Sequence, residues 1–184
     1  MIIEKNMDCI GKYITKDGGV TDTMSEQVLG VVFGGTEKEL LFLPFSDVEY
    51  SHKRYRSLQE VIEIAEDFNR QYNDKLIRWS VPTLADWNAI IRNLGKTDVF
   101  EESAPDMCDR IQEWGDFDSK TAINNLRRYG LNSESTYWSS SEGYEDEVFL
   151  LNLALGRIEA YPMFDDGEED DNVLRLIGHI NLWR

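Results

Sequence analysis

Apolar residues recur at three- and four-residue steps in two stretches of the chain, which is the spacing of an amphipathic helix. The first stretch covers residues 57–72 and begins with Ser57 and Glu60, whose spacing matches a capping box. Its apolar positions are Leu58, Val61, Ile62, Ala65, Phe68 and Tyr72. We therefore predict a helix over residues 57–72 with one buried face.

The second stretch covers residues 83–94 and has sharper boundaries. Pro82 holds the preceding residue extended, and Thr83 is a good N-cap residue. Asp86 stands where its carboxylate can reach back to the helix start or meet the helix dipole. Gly95 follows as the predicted C-cap. The sequence therefore predicts an extended segment that turns sharply into a helix.

Short apolar runs bounded by turn residues predict the strands. They cover residues 28–33, 39–45, 136–142, 147–155, 157–164 and 173–183. Between these groups, residues 98–118 are predicted as an irregular excursion, and residues 120–130 as a short helix stopped by Gly130. Because helices cluster before the middle and strands after it, the order predicts an α+β fold with an antiparallel sheet.

Composition indicates one domain with a sizeable core. The chain has 184 residues, of which 41% are hydrophobic, and five tryptophans that can each bury a large area. Neither an internal repeat nor a Pro- or Ser-rich linker interrupts it. We therefore expect a single domain over residues 1–184, in which residues 1–27 form a polar, turn-rich N-terminal segment.

The net charge of −16, from 35 acidic and 19 basic residues, restricts the partners. Such a surface repels nucleic acid phosphates and anionic membranes, although it also serves simply to keep a protein soluble. No apolar run approaches the length of a membrane span, and the N-terminus lacks the pattern of a secretory signal. We therefore expect no nucleic acid partner, no membrane insertion, and a cytoplasmic location unless the chain is a trimmed or non-classically exported form.

Cysteine and histidine are too sparse to indicate a metal centre. Cys9 and Cys108 either pair or remain ordinary thiols, and without a CxxC or Cys/His cluster a structural zinc site is disfavoured. His52 and His179 are far apart in sequence, which gives little support to a His-based triad or metal centre. We interpret His179, beside isoleucines in the last predicted strand, as a satisfied sheet histidine.

Two motifs, WSVPTLADW and YWSSSE, stand in order along the chain. They comprise Trp79, Pro82, Thr83, Asp86 and Trp87, and then Tyr137, Trp138, Ser139 and Ser140, with Arg175 in a closing strand. Together they resemble the bacterial C-type-lectin-like domain family of the major paralogous domain type, which is related in fold to formylglycine-generating enzymes. The resemblance covers roughly residues 28–180.

This resemblance implies a C-type-lectin-like fold, with two helices packed on a small twisted antiparallel sheet and long irregular loops. It also implies that residues 1–27 form a first strand beside the last one. In this setting the aromatic residues of the two motifs are expected to fill the core, and the serines of residues 139–141 to satisfy backbone groups at a strand end.

The chemistry of two relatives does not carry over. Ala104-Pro105-Asp106 lacks the first oxygen ligand of the calcium-dependent sugar site, and Trp138 is followed by serines instead of Asn-Asp. Formylglycine-generating enzymes need two cysteines in the C-terminal half, whereas Cys108 is the last cysteine here. The resemblance therefore implies a scaffold and not an activity.

Acidic segments are the candidate sites. Asp165, Asp166, Glu168, Asp170 and Asp171 are candidate calcium ligands because hard cations bind several oxygens, although EF-hand spacing is absent and a solvated hairpin tip explains the run equally well. A second acidic group provides the candidate ligand-binding residues Glu142, Tyr144, Glu145 and Asp146. If the two groups lay close together, the case for a cation site would be stronger.

The resulting expectation is a non-enzymatic binding or recognition domain, with a cell-surface or adhesion role, whose loops contact a protein or glycan. Two alternatives stay open. One is an enzyme with altered chemistry on a formylglycine-generating-type scaffold, and the other is a structural module of a surface or phage-like assembly. No cofactor other than calcium is expected, and the oligomeric state stays open.

Overall fold

A computed structural model describes residues 8–45, 57–72, 76–100, 113–142, 147–162 and 172–182. Eleven strands lie in this part of the chain: β1 (Tyr13–Thr15), β2 (Val20–Thr21), β3 (Val28–Gly35), β4 (Glu39–Pro44), β5 (Ile77–Ser80), β6 (Val99–Phe100), β7 (Glu113–Phe117), β8 (Thr136–Glu142), β9 (Glu147–Asn152), β10 (Arg157–Pro162) and β11 (Ile177–Asn181). The helices are α1 (Leu58–Tyr72), α2 (Leu84–Asn93) and α3 (Ser119–Leu126), with a 3-10 turn at Arg127–Tyr129. The α+β class is confirmed. No helix in these ranges is long and apolar enough to cross a membrane.

The helices begin and end close to where the sequence predicts. Ser57 Oγ accepts a hydrogen bond from the N–H of Glu60 at 3.2 Å, which caps α1. At α2, Thr83 and Asp86 form both arms of a capping box, and Leu94 is the C-cap, one residue before the predicted Gly95. The third helix is capped by Asp118 and begins at Ser119, one residue before the predicted range, and its 3-10 extension ends at the left-handed Gly130.

Helix α1 also covers part of one edge of the first sheet. The side chain of Asn69 donates to the carbonyl oxygen of Trp79 at 2.7 Å and accepts from its N–H at 2.8 Å. The same amide donates to the carbonyl oxygen of Ala65 at 2.9 Å. Because β5 is an edge strand, the amide of Asn69 takes the place of a neighbouring strand at Trp79.

The strands form two antiparallel sheets, where one small sheet was predicted. The first has the order β2-β1-β3-β4-β11-β5, and the second has the order β6-β7-β10-β9-β8. Sheet membership depends on pairing between distant segments, which short-range patterns do not encode. Among the described residues, three helices lie with these sheets, where the family resemblance implied two.

Two segments differ from the sequence prediction. Residues 98–118 were predicted as irregular, yet Val99 pairs with Phe117, both buried, so that β6 and β7 form an edge of the second sheet. The described part of the N-terminal segment forms β1 and β2 beside β3, whereas β11 lies between β4 and β5. The prediction of a first strand beside the last one is therefore wrong for residues 8–27. Ile14 explains the observed arrangement, because it is fully buried in one cluster with Val32.

The largest hydrophobic cluster lies around α2 and between the two sheets. It contains Val31, Phe33 and Leu43 from the first sheet, Trp87 from α2, and Leu151 among the residues from the second. A second cluster joins α1 to Trp138 and to Leu174 and Leu176. These last two residues precede β11, in a segment predicted as part of the final strand but observed as buried chain outside it.

Candidate functional site

The two sequence motifs meet where α2 contacts β8. Trp87 Nε1 donates to the carbonyl oxygen of Trp138 at 3.0 Å. The N–H of Ser140 donates to the carbonyl oxygen of Pro82 at 2.7 Å, and the N–H of Leu84 donates to Ser141 Oγ at 2.9 Å. The predicted role of the serines as backbone partners is confirmed. The motifs therefore position the start of α2 and do not themselves form an open site.

The aromatic residues of the motifs fill the core as predicted, with one difference of degree. Trp87, Tyr137 and Trp138 are buried. Trp79 is partly buried and packs edge-on against Phe42 and Phe68, between the first sheet and α1. These side chains are therefore not available to stack on a ligand as a group.

Four polar side chains from β4, β5 and β11 gather on one face of the first sheet. They are Glu39, Arg78, Ser80 and His179, and we call them the His179 cluster. Strand register explains their meeting, because His179 pairs with Arg78 while Ile177 pairs with Ser80. Paired residues in antiparallel strands point to the same side, as do residues two apart in one strand.

The contacts of His179 use both nitrogens of its ring. Ser80 Oγ lies 2.7 Å from Nε2, and Arg78 Nη2 lies 2.9 Å from Nδ1. Glu39 Oε1 lies 3.3 Å from the same Nδ1 and 3.5 Å from Arg78 Nη2. The His179 side chain is 11% exposed, Glu39 is 27% exposed and Arg78 is 60% exposed. The imidazole is therefore nearly enclosed and the guanidinium faces water.

Burial and charge together hold His179 in its neutral form. Burial lowers the pKa of His179 from its ordinary value of 6.5, and the positive charge of Arg78 lowers it further, whereas Glu39 and Asp86 raise it. The first two effects prevail, so the ring is neutral at pH 7. A neutral imidazole has one donor and one acceptor nitrogen, so Glu39 and Arg78 favour opposite tautomers at Nδ1.

Sequence reasoning missed this cluster, although its interpretation of His179 as a satisfied sheet histidine is confirmed. The distance between the two histidines argued against a His-based triad, but such a group needs only one histidine. His52 lies outside the described residues. The sequence did contain one sign of the cluster. Side chains alternate along a strand, so Arg78 and Ser80 lie on the same face of β5. The pairing of β5 with β11, which brings His179 to these two residues, could not be inferred from neighbouring residues in the sequence.

The predicted loop sites lie almost wholly outside the described residues. Glu142 is the last residue of β8, where only its backbone is described. The remaining candidates fall in segments that are not described: Tyr144, Glu145, Asp146, Asp165, Asp166, Glu168, Asp170, Asp171, and also Cys108. Across the described ranges, no group of three or more His, Cys, Asp or Glu side chains could hold a metal ion.

The strand ends that carry these segments lie together. Glu142 pairs with Val148, and Pro162 pairs with Glu147, so residues 143–146 and 163–171 attach at the same end of the second sheet. Residues 101–112 attach elsewhere, because Glu113 at the start of β7 pairs with Glu159 in the middle of β10, and Phe100 at the end of β6 pairs with Asp116 near the opposite end of the sheet. Two connections thus start from one end of a five-stranded sheet.

No family model, no curated protein and no solved structure matches the chain.

Proposed function

We propose that the chain is a recognition domain on a C-type-lectin-like scaffold, and that its loops bind a protein or glycan at a cell surface. The observation that carries this proposal is the common end of the second sheet from which residues 143–146 and 163–171 start. Recognition residues concentrate on loops that a rigid scaffold holds close together. These loops are proposed to bind and not to catalyse.

The rigidity of the scaffold supports the proposal. Bonds from β8 to the start of α2 tie the second sheet to the helix between the sheets. Trp87 and Trp138, which take part in that junction, are buried. Strand ends fixed in this way lower the entropy lost when attached loops bind a partner.

Charge narrows the class of partner. The two segments contain eight of the 35 acidic residues of the chain and no lysine or arginine. A cationic surface on the partner, or calcium held between the segments and a glycan, would complement this charge. Calcium is proposed at Asp165, Asp166, Glu168, Asp170 and Asp171, with Glu142, Tyr144, Glu145 and Asp146 as ligand contacts.

The test compares two double variants on glycan and protein arrays, each with and without millimolar calcium. D165N/D166N removes two charges from one segment, whereas E63Q/E66Q removes two charges from the exposed side of α1. We expect hits that weaken at least about tenfold in the first variant and stay unchanged in the second. Equal binding by both variants would remove these acids from the proposed site.

Calcium itself is tested by thermal melting of the same proteins. A ligand that binds only the native state raises its stability in proportion to the logarithm of concentration over Kd. We expect millimolar calcium to raise the Tm of the intact chain and of E63Q/E66Q, but not that of D165N/D166N. An unchanged Tm of the intact chain would rule out calcium and leave direct recognition by the loops as the remaining form of the proposal.

A further inference from the structure

The order of contacts in the His179 cluster is that of a serine nucleophile with its base. A hydroxyl, Ser80 Oγ, contacts imidazole Nε2 at 2.7 Å, and a carboxylate, Glu39 Oε1, lies 3.3 Å from Nδ1 on the other side of the ring. Such a series is recognised by geometry and roles, whatever the order of its members along the chain. Its members come from the first sheet, whereas the segments proposed for recognition attach to strands of the second sheet.

His179 has the protonation state that a base requires. The ring is neutral at pH 7, because burial and Arg78 lower its pKa. Its Nε2 lies within the hydrogen-bond distance needed to take a proton from Ser80. The imidazole is held between β4 and β5, whose residues contact both of its nitrogens.

Glu39 and Arg78 both contact Nδ1 of His179, and they have opposite effects on proton transfer from Ser80. When Nδ1–H donates to Glu39, Nε2 is the acceptor and receives the hydroxyl proton of Ser80. When Arg78 donates to Nδ1, the ring proton sits on Nε2 and points at Ser80, which blocks proton transfer. Arg78 Nη2 lies 2.9 Å from Nδ1 and Glu39 Oε1 lies 3.3 Å from it, so the resting contacts favour the second arrangement, and reaction requires the first. Glu39 therefore promotes the reactive tautomer and Arg78 restrains it.

We propose that Ser80 is a nucleophile, with His179 as its base and Glu39 as a positioning residue, and that it accepts small acyl groups from activated esters. Ser80 Oγ attacks the carbonyl carbon while its proton passes to His179 Nε2. The tetrahedral intermediate collapses with cleavage of the bond to the leaving oxygen, which takes the proton from His179. The products are an ester on Ser80 and a free alcohol or phenol, with no change of oxidation state.

The restriction to activated esters follows from the surroundings of the hydroxyl. Among the described residues, His179 is the one side chain within hydrogen-bond distance of Ser80 Oγ. No donor is assigned to the developing oxyanion, so the leaving group must depart readily. Ser80 is half-buried, which favours a small acyl group. p-Nitrophenyl acetate meets both conditions.

The first experiment incubates the chain with p-nitrophenyl acetate, follows release of p-nitrophenolate, and maps the acetyl group by peptide mass spectrometry. We expect acetylation of Ser80 in the intact chain, none at that position in S80A, and a rate at least about 100-fold lower in H179Q. Ser140 is an internal control, because it is also half-buried but donates to backbone carbonyl oxygens. Acetyl groups found only elsewhere, or an H179Q rate equal to that of the intact chain, would refute the proposal.

The second experiment measures the rate of Ser80 acetylation against pH in E39Q and R78M. The rate rises with pH as His179 loses its proton. Glu39 raises the pKa of His179 and Arg78 lowers it, so the midpoint should fall in E39Q and rise in R78M. The maximal acetylation rate, reached at high pH, should fall in E39Q and rise in R78M, because Glu39 promotes the reactive tautomer and Arg78 restrains it. Structural damage would not move the midpoints in opposite directions, and midpoints that move together would overturn the assignment even if H179Q failed to fold.

Discussion

Asn69 gives a sharp test of how α1 is attached to the first sheet. In N69A, the N–H and carbonyl oxygen of Trp79 lose their partners at a partly buried edge. Each lost bond contributes about 1 kcal/mol to stability, and an unsatisfied group that stays buried adds to the loss. The better helix propensity of alanine returns at most about 0.7 kcal/mol. The expected loss of unfolding free energy is therefore about 2 kcal/mol, or about 30-fold in the equilibrium constant.

Urea unfolding followed by tryptophan fluorescence measures this loss as a change in midpoint at constant slope. N124A is the matched control, because Asn124 is an exposed asparagine within α3, and its stability should change by less than about 0.7 kcal/mol. N69D keeps the acceptor for the N–H of Trp79 but turns a carboxylate oxygen toward its carbonyl. It should therefore lose at least as much stability as N69A. A loss in N69A no larger than that in N124A would refute the role of Asn69.

Three further predictions concern a cap, a turn and a titration. T83A should lose about 1 kcal/mol in urea unfolding, because the capping box of α2 is broken, whereas T83S should retain it. G130A should lose about 3 kcal/mol by the same measurement, since Gly130 has φ +83° and an added Cβ would overlap the carbonyl oxygen of Phe45. The lowered pKa of His179 means that the unfolded state binds its proton more tightly, so its contribution is complete above pH 6.5 and is lost as pH falls through the folded-state pKa. As the pH is lowered from 7.5 to 5, the unfolding free energy should therefore fall more steeply for the intact chain than for H179Q. The two slopes against pH should differ by up to about 1.4 kcal/mol per pH unit, and equal slopes would contradict this.

Local rules predicted the helices because their determinants lie within a few residues. At α2, Thr83 and Asp86 bind each other across the first turn, as their spacing indicates. The same rules failed between residues 98 and 118. There the apolar residues that become buried, such as Val99 and Phe117, come from two short strands with twelve intervening residues, and no alternation is long enough to mark either strand.

The His179 cluster could not be predicted because it is assembled by strand pairing. The pairing of β11 with both β4 and β5 brings Glu39 and Ser80 to His179 from distant parts of the chain. A polar residue in a strand pattern indicates a face of the sheet, but not the neighbour that it meets. Assignment of the strands was therefore sufficient for the α+β class and insufficient for the site.

The interior position of β11 has a consequence for biosynthesis. Strands β4 and β5 leave the ribosome well before the strand that joins them, at a rate of about 5–20 residues per second. Until β11 arrives, each presents an unpaired edge, and the side chains of Phe42 and Ile77 lack a covering neighbour in Ile180. The first sheet therefore closes late, and a nascent chain stalled before residue 177 is the species that chaperones would need to protect.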